Sequence, residues 1–468
     1  MWELLIVLYA LASFLTLWHE CYSLFISERF SVASFCKLWF IVVQFCLPCY
    51  LMLRYFLFGV PAKSSYASIS YHDSALTSAY VVFLFSLIAY CVLVATTKTN
   101  GSASFAASPN RGDVGEGYTM KRLRIAAFLC LSVGALCLYL WSSAYGSIFD
   151  LIEVGNAVRG GWNTIHNSFA MFKHPSRLVL VSSYIYFALL YSKRSKFFSI
   201  DSILLIASVF LSMLFLFAND GRLSMAFYFM GFFLVVLYTK LFIQKKVFDL
   251  RAGLLAVVIC VLLIAVMLNM DSVTYFIRHG QFLTAGDKDG TSIIEEILFD
   301  PASDLTVVSN FLNGRLTFML VHDFVYGIFA WLPQSLSPSW ALRLWTVNTQ
   351  AVSPMFTTGE IPCGLLAQSV YDLGIVGIIV IPYLYGLILH FTDKKILPNI
   401  RNPFVMGLFA YLFTDLLRVV SYAMLYDIVL DLFPLAIALI IYFFSGFLVG
   451  RRKEISPLSG AGKGVRDE

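Results

Sequence analysis

The chain has 468 residues, of which 59% are hydrophobic and only 13% are charged, and 43 of them are phenylalanine. Water-soluble domains carry roughly 25% charged residues, so this composition excludes a soluble globular protein and indicates an integral membrane protein. The net charge of +5 comes mostly from basic loops, and no basic patch typical of nucleic-acid binding is visible.

Apolar runs of about 20 residues, long enough to cross a bilayer as a helix, recur along almost the whole chain. They are continuous and do not alternate with period two, which favours helices over barrel strands. The first run carries Glu3 and lacks the features of a cleaved signal peptide, so we expect it to be retained. We predict an all-α polytopic membrane protein with about eleven (ten to twelve) transmembrane helices, at residues 2–18, 33–59, 76–97, 125–143, 177–192, 199–217, 223–243, 252–270, 367–390, 403–426 and 428–449.

Basic residues predict the orientation of these helices. With the tail at 451–453 in the cytoplasm, alternation of sides places the basic segments 121–124, 192–196, 244–251 and 392–401 inside as well. This agrees with the positive-inside rule and leaves the N-terminus outside. The Gly- and Ser-rich stretch 98–120 and the tail 451–468 are predicted to be flexible cytoplasmic segments.

Two long outer loops divide the chain. Residues 1–270 hold the first eight helices with an outer loop at 144–176, and residues 367–450 hold the last three. Between them lies a large outer loop, 271–366, whose apolar amphipathic pieces predict helices that lie in the interface or re-enter the membrane. Loops of this length are usually functional. We therefore expect a folded, partly helical cap.

Polar residues at helix ends and in the cap suggest sites. In "LFANDGRLSM" at 216–225, the Asp-Gly pair predicts an outer turn and Arg222 begins the next helix, either as a membrane anchor or as a ligand for an anion. In "NGRLTFMLVHDF", Arg315 and His322 are seven residues apart, which on a helix would place both on one face. That segment is equally well described as an interfacial helix with ordinary polar residues. Asp415 and Arg418 are predicted to pair on one helix.

Histidine and arginine gather on the predicted outer side. Five of the seven histidines lie there: His72, His166, His174, His279 and His322. No His-x-x-x-His motif or paired cysteine spacing accompanies them, so the sequence predicts no metal site. Arginine together with histidine is typical of anion recognition and proton transfer.

Several of these features together resemble a known family. The many spans, the late outer loop, the arginine of "LFANDGRLSM", the segment "WLPQSLSPSW" with Asn348 after it, and "YDLGIVG" entering the next span are similar to the Wzy-type oligosaccharide repeat-unit polymerases. Those enzymes are related to O-antigen ligases and to membrane glycosyltransferases of the GT-C kind. One departure is that Pro338 is followed by Ser339 and Trp340, without the basic residue that often neighbours this proline.

The resemblance implies a GT-C-like transferase on the periplasmic face of a bacterial inner membrane. It would take a glycan from undecaprenyl diphosphate and join it to another lipid-linked repeat unit, for O-antigen or a similar polysaccharide. It implies no metal and no cofactor, substrates that are undecaprenyl-diphosphate-linked glycans in membrane lipid, and a chain-length regulator as a partner.

The resemblance and the chemistry of the reaction also give candidate residues. The acceptor hydroxyl needs a base, for which we expect His322 first and then His279, Glu360 and Asp304. The diphosphate leaving group needs cations, for which we expect Arg222, Arg278, Arg315 and Arg418. For contacts with the glycan or acceptor we expect Arg159, His166, Trp340, Asn348 and Tyr371.

The sequence leaves two alternative functions open. An O-antigen ligase would use the same donor with lipid A core as acceptor, and nothing in the sequence excludes it. A flippase or other transporter of lipid-linked oligosaccharide is disfavoured, because few ionisable residues are predicted at the membrane midplane and no paired halves are visible.

Overall fold

The computed structural model describes residues 1–26, 31–59, 61–63, 68–69, 71–98, 116–159, 169–192, 199–219, 221–240, 298–320, 322–329, 338, 340, 342–353, 361–422 and 425–450. These residues are mostly helical, with one pair of two-residue antiparallel strands, β1 (Ala62–Lys63) and β2 (Ser68–Ile69). The helices are α1 (Trp2–Cys21), α2 (Val32–Ile41), α3 (Leu47–Phe58), α4 (Leu76–Thr97), α5 (Glu116–Ser143), α6 (Ile148–Arg159), α7 (Leu178–Tyr191), α8 (Ile200–Asn219), α9 (Gly221–Tyr238), α10 (Phe299–Leu312), α11 (His322–Phe329), α12 (Leu344–Val352), α13 (Leu365–Leu373), α14 (Gly377–Phe391), α15 (Pro403–Ser421) and α16 (Leu425–Gly450).

Seven helical stretches in the described part of the chain are long and apolar enough to cross a membrane. They correspond to seven of the predicted spans: Trp2–Leu24, Val32–Phe58, Asp73–Thr97, Met120–Ser143, Ile200–Ala218, Pro403–Ser421 and Ile428–Phe447. Two more predicted spans, 177–192 and 223–243, form the shorter helices α7 and α9. At 1.5 Å per residue α7 is about 21 Å long, less than the roughly 30 Å of a hydrocarbon core. The predicted span 252–270 lies outside the described residues.

The second span is one continuous helical rod built from α2, a π-helical turn (Val42–Cys46) and α3. The Ser31 hydroxyl caps its start by accepting a hydrogen bond from the Ser34 backbone N–H at 3.1 Å. The Asp393 carboxylate accepts from the backbone N–H groups of Val32 at 2.7 Å and of Ala33 at 3.2 Å. A carboxylate is favourable at this end because the unpaired N–H groups make a helix N-terminus positive.

The prediction of one unbroken span over 367–390 is wrong. The structure has two helices there, α13 and α14, separated at Gly374, whose φ is 59°. Only glycine adopts this left-handed conformation readily. A Cβ at Gly377 would overlap the Ser369 carbonyl oxygen, so the close approach after the break also requires glycine. Broken helices at membrane depth occur where the backbone is buried in protein or lines a cavity.

The predicted helix through Arg315 and His322 is also wrong. Helix α10 ends at Leu312, and residues 315–319 are not helical. Gly314 has a φ of 65°, and the Arg315 backbone N–H bonds the Asn310 carbonyl at 2.8 Å. This is the geometry of a glycine that closes a helix C-terminus. Arg315 and His322 therefore do not share a helix face.

The interior of the bundle is organised around α7, whose side chains are nearly all buried. It packs against α5, α8, α9 and α15. Helix α16 packs against α5 and α11, and α14 packs against α4. The short helix α7 is thus enclosed by longer helices, and Arg177, directly before it, lines a cavity together with Leu216 of α8 and Arg418 of α15.

Candidate functional site

A cavity lies at one end of the bundle, between α7, α8, α9 and α15. Its volume is about 320 Å³ including the open solvent at its mouth, and the polar residues in its lining include Arg177, Ser224, Tyr411, Thr414, Asp415 and Arg418. Arg177 and Ser224 stand at the starts of α7 and α9, whereas Arg418 stands near the end of α15. The predicted topology places all three of these helix ends on the outer face.

Two arginines of this cavity share one buried carboxylate. Arg177 Nη1 contacts Asp431 Oδ1, and Arg418 Nη1 donates a hydrogen bond of 3.0 Å to Asp431 Oδ2. The side chains of Arg177, Asp431 and Arg418 are only 5%, 6% and 12% exposed. Ionised groups this deeply buried are stable only with a close opposite charge. The triad therefore joins three helices, α7, α15 and α16.

Arg418 has an ion-pair partner that the sequence did not predict. The sequence predicts a pair with Asp415, and the structure shows one with Asp431, thirteen residues further along the chain. Asp415 lies on the same cavity wall as Arg418. With all four groups ionised, the charges of the two arginines and two aspartates cancel.

More positive charge surrounds His174, three residues before Arg177. Burial is the main reason that the pKa of His174 lies well below its usual value, and Arg177, Lys173 and Arg343 lower it further. Its Nδ1 atom is buried without a hydrogen-bond partner among the described residues. The Arg343 guanidinium lies over the Trp345 ring, 4.7 Å from its centroid, in the geometry of a cation–π contact. His174 is thus a neutral imidazole among three cations.

Sequence reasoning did not select Arg177, His174 or Asp431 for the site. Arg177 and His174 are visible in the sequence among the outer-loop arginines and histidines, and Asp431 is visible as an acid near the outer edge of the last spans. No short-range spacing connects them, because the contact is made between helices that are distant in sequence. Of the three, only Arg177 stands at a position that could have marked it as a site residue, because it begins an apolar run on the predicted outer side.

A second polar cluster lies next to the cavity, around α10. Asp300 and Asp304 are one turn apart on this helix and are buried. Asp304 Oδ2 accepts a hydrogen bond of 3.0 Å from Gln44 Nε2, and Gln44 Oε1 accepts one of 3.1 Å from Ser86. Gly364 fits against Asp300, since a Cβ there would stand 2.7 Å from Asp300 Oδ1. Asp304, the fourth candidate base, is therefore held inside the protein.

The two sites meet near the end of α15. Trp39 Nε1 donates a hydrogen bond of 2.9 Å to the Ser421 hydroxyl, and the Trp39 ring packs edge-on against Phe227 of the cavity lining at 5.6 Å. Phe299 at the start of α10 packs against Tyr422, with ring centroids 5.1 Å apart. Arg418 and Ser421 are one helical turn apart, about 5 Å along the axis. The cavity and the carboxylate cluster are neighbours.

Two predicted glycan contacts are bonded to each other inside the protein. The Tyr371 hydroxyl donates to Asn348 Oδ1 at 3.3 Å, and the Asn348 amide donates to Ser303 Oγ at 2.9 Å and to the Ile361 carbonyl at 3.0 Å. Both side chains are buried. These hydrogen bonds hold α10, α12 and α13 together. Contact of Asn348 or Tyr371 with a glycan remains a prediction.

The structure brings His322 and Trp340 together. Their ring centroids are 5.2 Å apart, Trp340 is 53% exposed, and His322 is partly buried. His322 Nδ1 has no hydrogen-bond partner within the described part of the chain. His322 begins α11, which packs against α16, the helix that carries Asp431. An exposed aromatic ring can stack on a sugar, and an imidazole beside it can accept a proton.

The remaining candidates are dispersed or lie beyond what the structure describes. Arg315 is exposed in the non-helical segment after α10. Arg159 and Arg222 belong to α6 and α9, at positions whose side chains are not described; Arg222 is two residues before Ser224 of the cavity lining. Outside the described residues lie His166, Arg278, His279 and Glu360.

No family model, curated protein or solved structure matches this chain. Its chemistry must therefore be inferred from the residues themselves.

Proposed function

We propose that this protein is a membrane glycosyltransferase that works at the outer face of a bacterial inner membrane, with undecaprenyl-diphosphate-linked oligosaccharides as substrates. In the preferred form it is a repeat-unit polymerase of the Wzy type with a GT-C-like architecture, and a chain-length regulator is its expected partner. The observation that carries the proposal is the pair Arg177 and Arg418, which both line a cavity at the end of the helices and both contact Asp431.

The chemistry of the donor explains why such a pair is useful. Attack by an acceptor hydroxyl on the anomeric carbon breaks the bond to the diphosphate and leaves negative charge on its oxygens. Guanidinium groups bind phosphate oxygens with two parallel hydrogen bonds and retain their charge at any physiological pH. Cations already in place where charge develops stabilise the transition state without reorganisation. Arg177 and Arg418 serve this role in our proposal, and Arg222 remains a predicted further cation.

The acceptor hydroxyl has to lose its proton to a base. His322 is our candidate, because its ring lies against Trp340, which is exposed and can hold a sugar ring. His322 begins α11, which packs against α16. Helix α16 also carries Asp431, the residue that Arg177 and Arg418 both contact. The proton moves from the acceptor hydroxyl to the imidazole as the new glycosidic bond forms, and the lipid diphosphate leaves with the electron pair of the broken bond.

One observation favours a second candidate function. Gln44 lies near the middle of the span Val32–Phe58, and Ser86 lies near the middle of Asp73–Thr97. Both belong to the hydrogen-bond chain that ends at Asp304. A buried carboxylate that is hydrogen-bonded to polar groups at mid-span suits proton-coupled transport, so a flippase for lipid-linked oligosaccharide is the alternative. An O-antigen ligase would use the same cation pair as the polymerase.

A silver-stained gel of surface polysaccharide from a strain that lacks this gene separates these functions. A core band carrying one repeat, with the ladder lost, would identify the polymerase. Core without any repeat would indicate a ligase or a flippase, and polymer accumulating on the lipid carrier at the periplasmic face would then identify the ligase. An unchanged ladder would contradict a role in this polysaccharide.

A further inference from the structure

We propose that Asp431 is a built-in counter-anion which the diphosphate headgroup of the lipid substrate displaces, so that the substrate binds by replacing a carboxylate between Arg177 and Arg418. This inference rests on the proposed function, because it takes a lipid diphosphate as the ligand. It adds a role for a residue that neither binds nor transforms the substrate directly.

Asp431 makes the two contacts that a bridging phosphate would make. Each of its two oxygens contacts Nη1 of a different arginine. The arginines come from the start of α7 and the last turn of α15, whereas the carboxylate comes from a third helix, α16. A bridging phosphate would make the same two contacts with the same two helices and would not need α16. The carboxylate can therefore leave without removing either cation from the cavity.

The charges of the site require such an exchange. An arginine that is buried without an opposite charge is strongly unfavourable, so the empty site needs an anion. Asp431 supplies that anion, and Asp415 places a carboxylate on the cavity wall. A diphosphate that entered while both carboxylates stayed in place would bring excess negative charge into a largely buried site. Release of Asp431 from the arginines removes that repulsion.

The same exchange explains how product leaves. The released lipid diphosphate has one more ionisable oxygen than the glycosylated donor, so it would bind two arginines at least as tightly. A carboxylate that returns to Arg177 and Arg418 competes with the product for its contacts. We expect Asp431 to weaken diphosphate binding and to keep the empty protein stable.

A structural ion bridge would differ in one measurable respect. If Asp431 only holds α7, α15 and α16 together, its loss destabilises the protein whether or not ligand is present. If Asp431 is a counter-anion, the ligand takes its place, and added ligand compensates for the loss. A ligand that binds the folded state raises its stability in proportion to the logarithm of ligand concentration over Kd.

The test compares the full-length chain with Asp431→Asn in detergent, by thermal unfolding with increasing inorganic pyrophosphate and then with undecaprenyl diphosphate. The matched control is Asp201→Asn, which removes the carboxylate of another ion pair, Arg124 to Asp201 at 2.9 Å, in a different part of the protein. We expect Asp431→Asn to lower Tm without ligand and to bind pyrophosphate about tenfold more tightly. This magnitude holds if the carboxylate occupies the site in about nine of ten wild-type molecules, because only the remaining tenth can then bind the ligand.

Each other outcome has a definite meaning. Equal pyrophosphate affinity in the wild type and in Asp431→Asn overturns the exchange but leaves a diphosphate site in place. Absence of diphosphate binding in both overturns the exchange together with the proposed function. If Asp431→Asn cannot be recovered even when pyrophosphate is present throughout purification, the ligand cannot replace the carboxylate and the exchange is wrong. A tenfold gain in Asp201→Asn would also overturn it.

Discussion

Asp304 accepts a hydrogen bond of 3.0 Å from Gln44, which joins a helix of the predicted outer loop to the interior of a membrane-spanning rod. Gln44 belongs to the π-helical turn Val42–Cys46, a feature that is frequent at functional sites. Through Gln44 and Ser86, α10 is linked to the spans Val32–Phe58 and Asp73–Thr97. Helix α10 also packs against the end of α15, next to the cavity that Arg177 and Arg418 line. The predicted cap is therefore in contact with the part of the protein that we propose binds the lipid diphosphate.

We expect loss of either cavity arginine to abolish most of the activity. Arg177→Gln or Arg418→Gln removes a charge that stabilises the leaving diphosphate, and removal of one such donor typically lowers kcat by about a hundredfold or more. The readout is the ladder in the gene-deletion strain that expresses each variant, with protein level checked by immunoblot. Arg124→Gln is the matched control, because it removes an arginine from an ion pair elsewhere. A full ladder in both cavity variants would contradict the assignment.

His322→Asn should slow transfer without weakening donor binding. A missing general base typically costs about a hundredfold in rate, whereas the diphosphate contacts lie on other helices. The measurement is kcat and KM for polymerisation with purified protein and lipid-linked repeat units. His72→Asn, at an exposed position, should behave as the wild type. If kcat for His322→Asn stays within about twofold of the wild type, His322 is not the base.

Protonation of the α10 carboxylates should affect stability. Burial raises the pKa of Asp304 to about 7, and burial together with Asp304 raises the pKa of Asp300 well above its usual value. The folded protein then binds more protons than the unfolded chain, so the free energy of unfolding falls as pH rises from about 4 to about 7. Asp304→Asn should flatten this slope in thermal unfolding scans at pH 5 and pH 8. Asp73→Asn, at an exposed position, should leave it unchanged. A slope that is identical in the wild type and Asp304→Asn would contradict the raised pKa.

Gly377→Ala should destabilise the junction between α13 and α14. The added Cβ would overlap the Ser369 carbonyl oxygen, and backbone cannot move away as easily as a flexible side chain. We expect a loss of several degrees in Tm. Gly314→Ala tests backbone strain alone. Gly314 has a φ of 65°, and no atom lies within 4 Å of the added Cβ. That variant should cost only about 1 kcal/mol. Equal Tm values for the wild type and Gly377→Ala would show that the junction can relax.

Some structural details were signalled in the sequence although the predictions missed them. Asn313 and Gly314 form a typical helix-ending pair, yet the apolar periodicity around Arg315 favoured a helix through that point. Gly374 and Gly377 stand in an apolar run that satisfies the length of a span, and hydropathy alone cannot show that the helix breaks there. In both cases a local backbone requirement outweighed the pattern of apolar side chains.

The sequence by itself determined that this is a helical membrane protein. It also predicted the seven helices of the described residues that are long and apolar enough to cross a membrane. This is possible because a bilayer sets a condition on each segment separately: enough consecutive apolar residues to cross it. The sequence also selected Arg418, since a charge near an apolar helix end is visible locally. Only the tertiary structure showed that Arg177 and Arg418 meet at Asp431 and that Asp304 reaches Gln44. These contacts depend on which helices become neighbours, and that is decided by packing over the whole bundle.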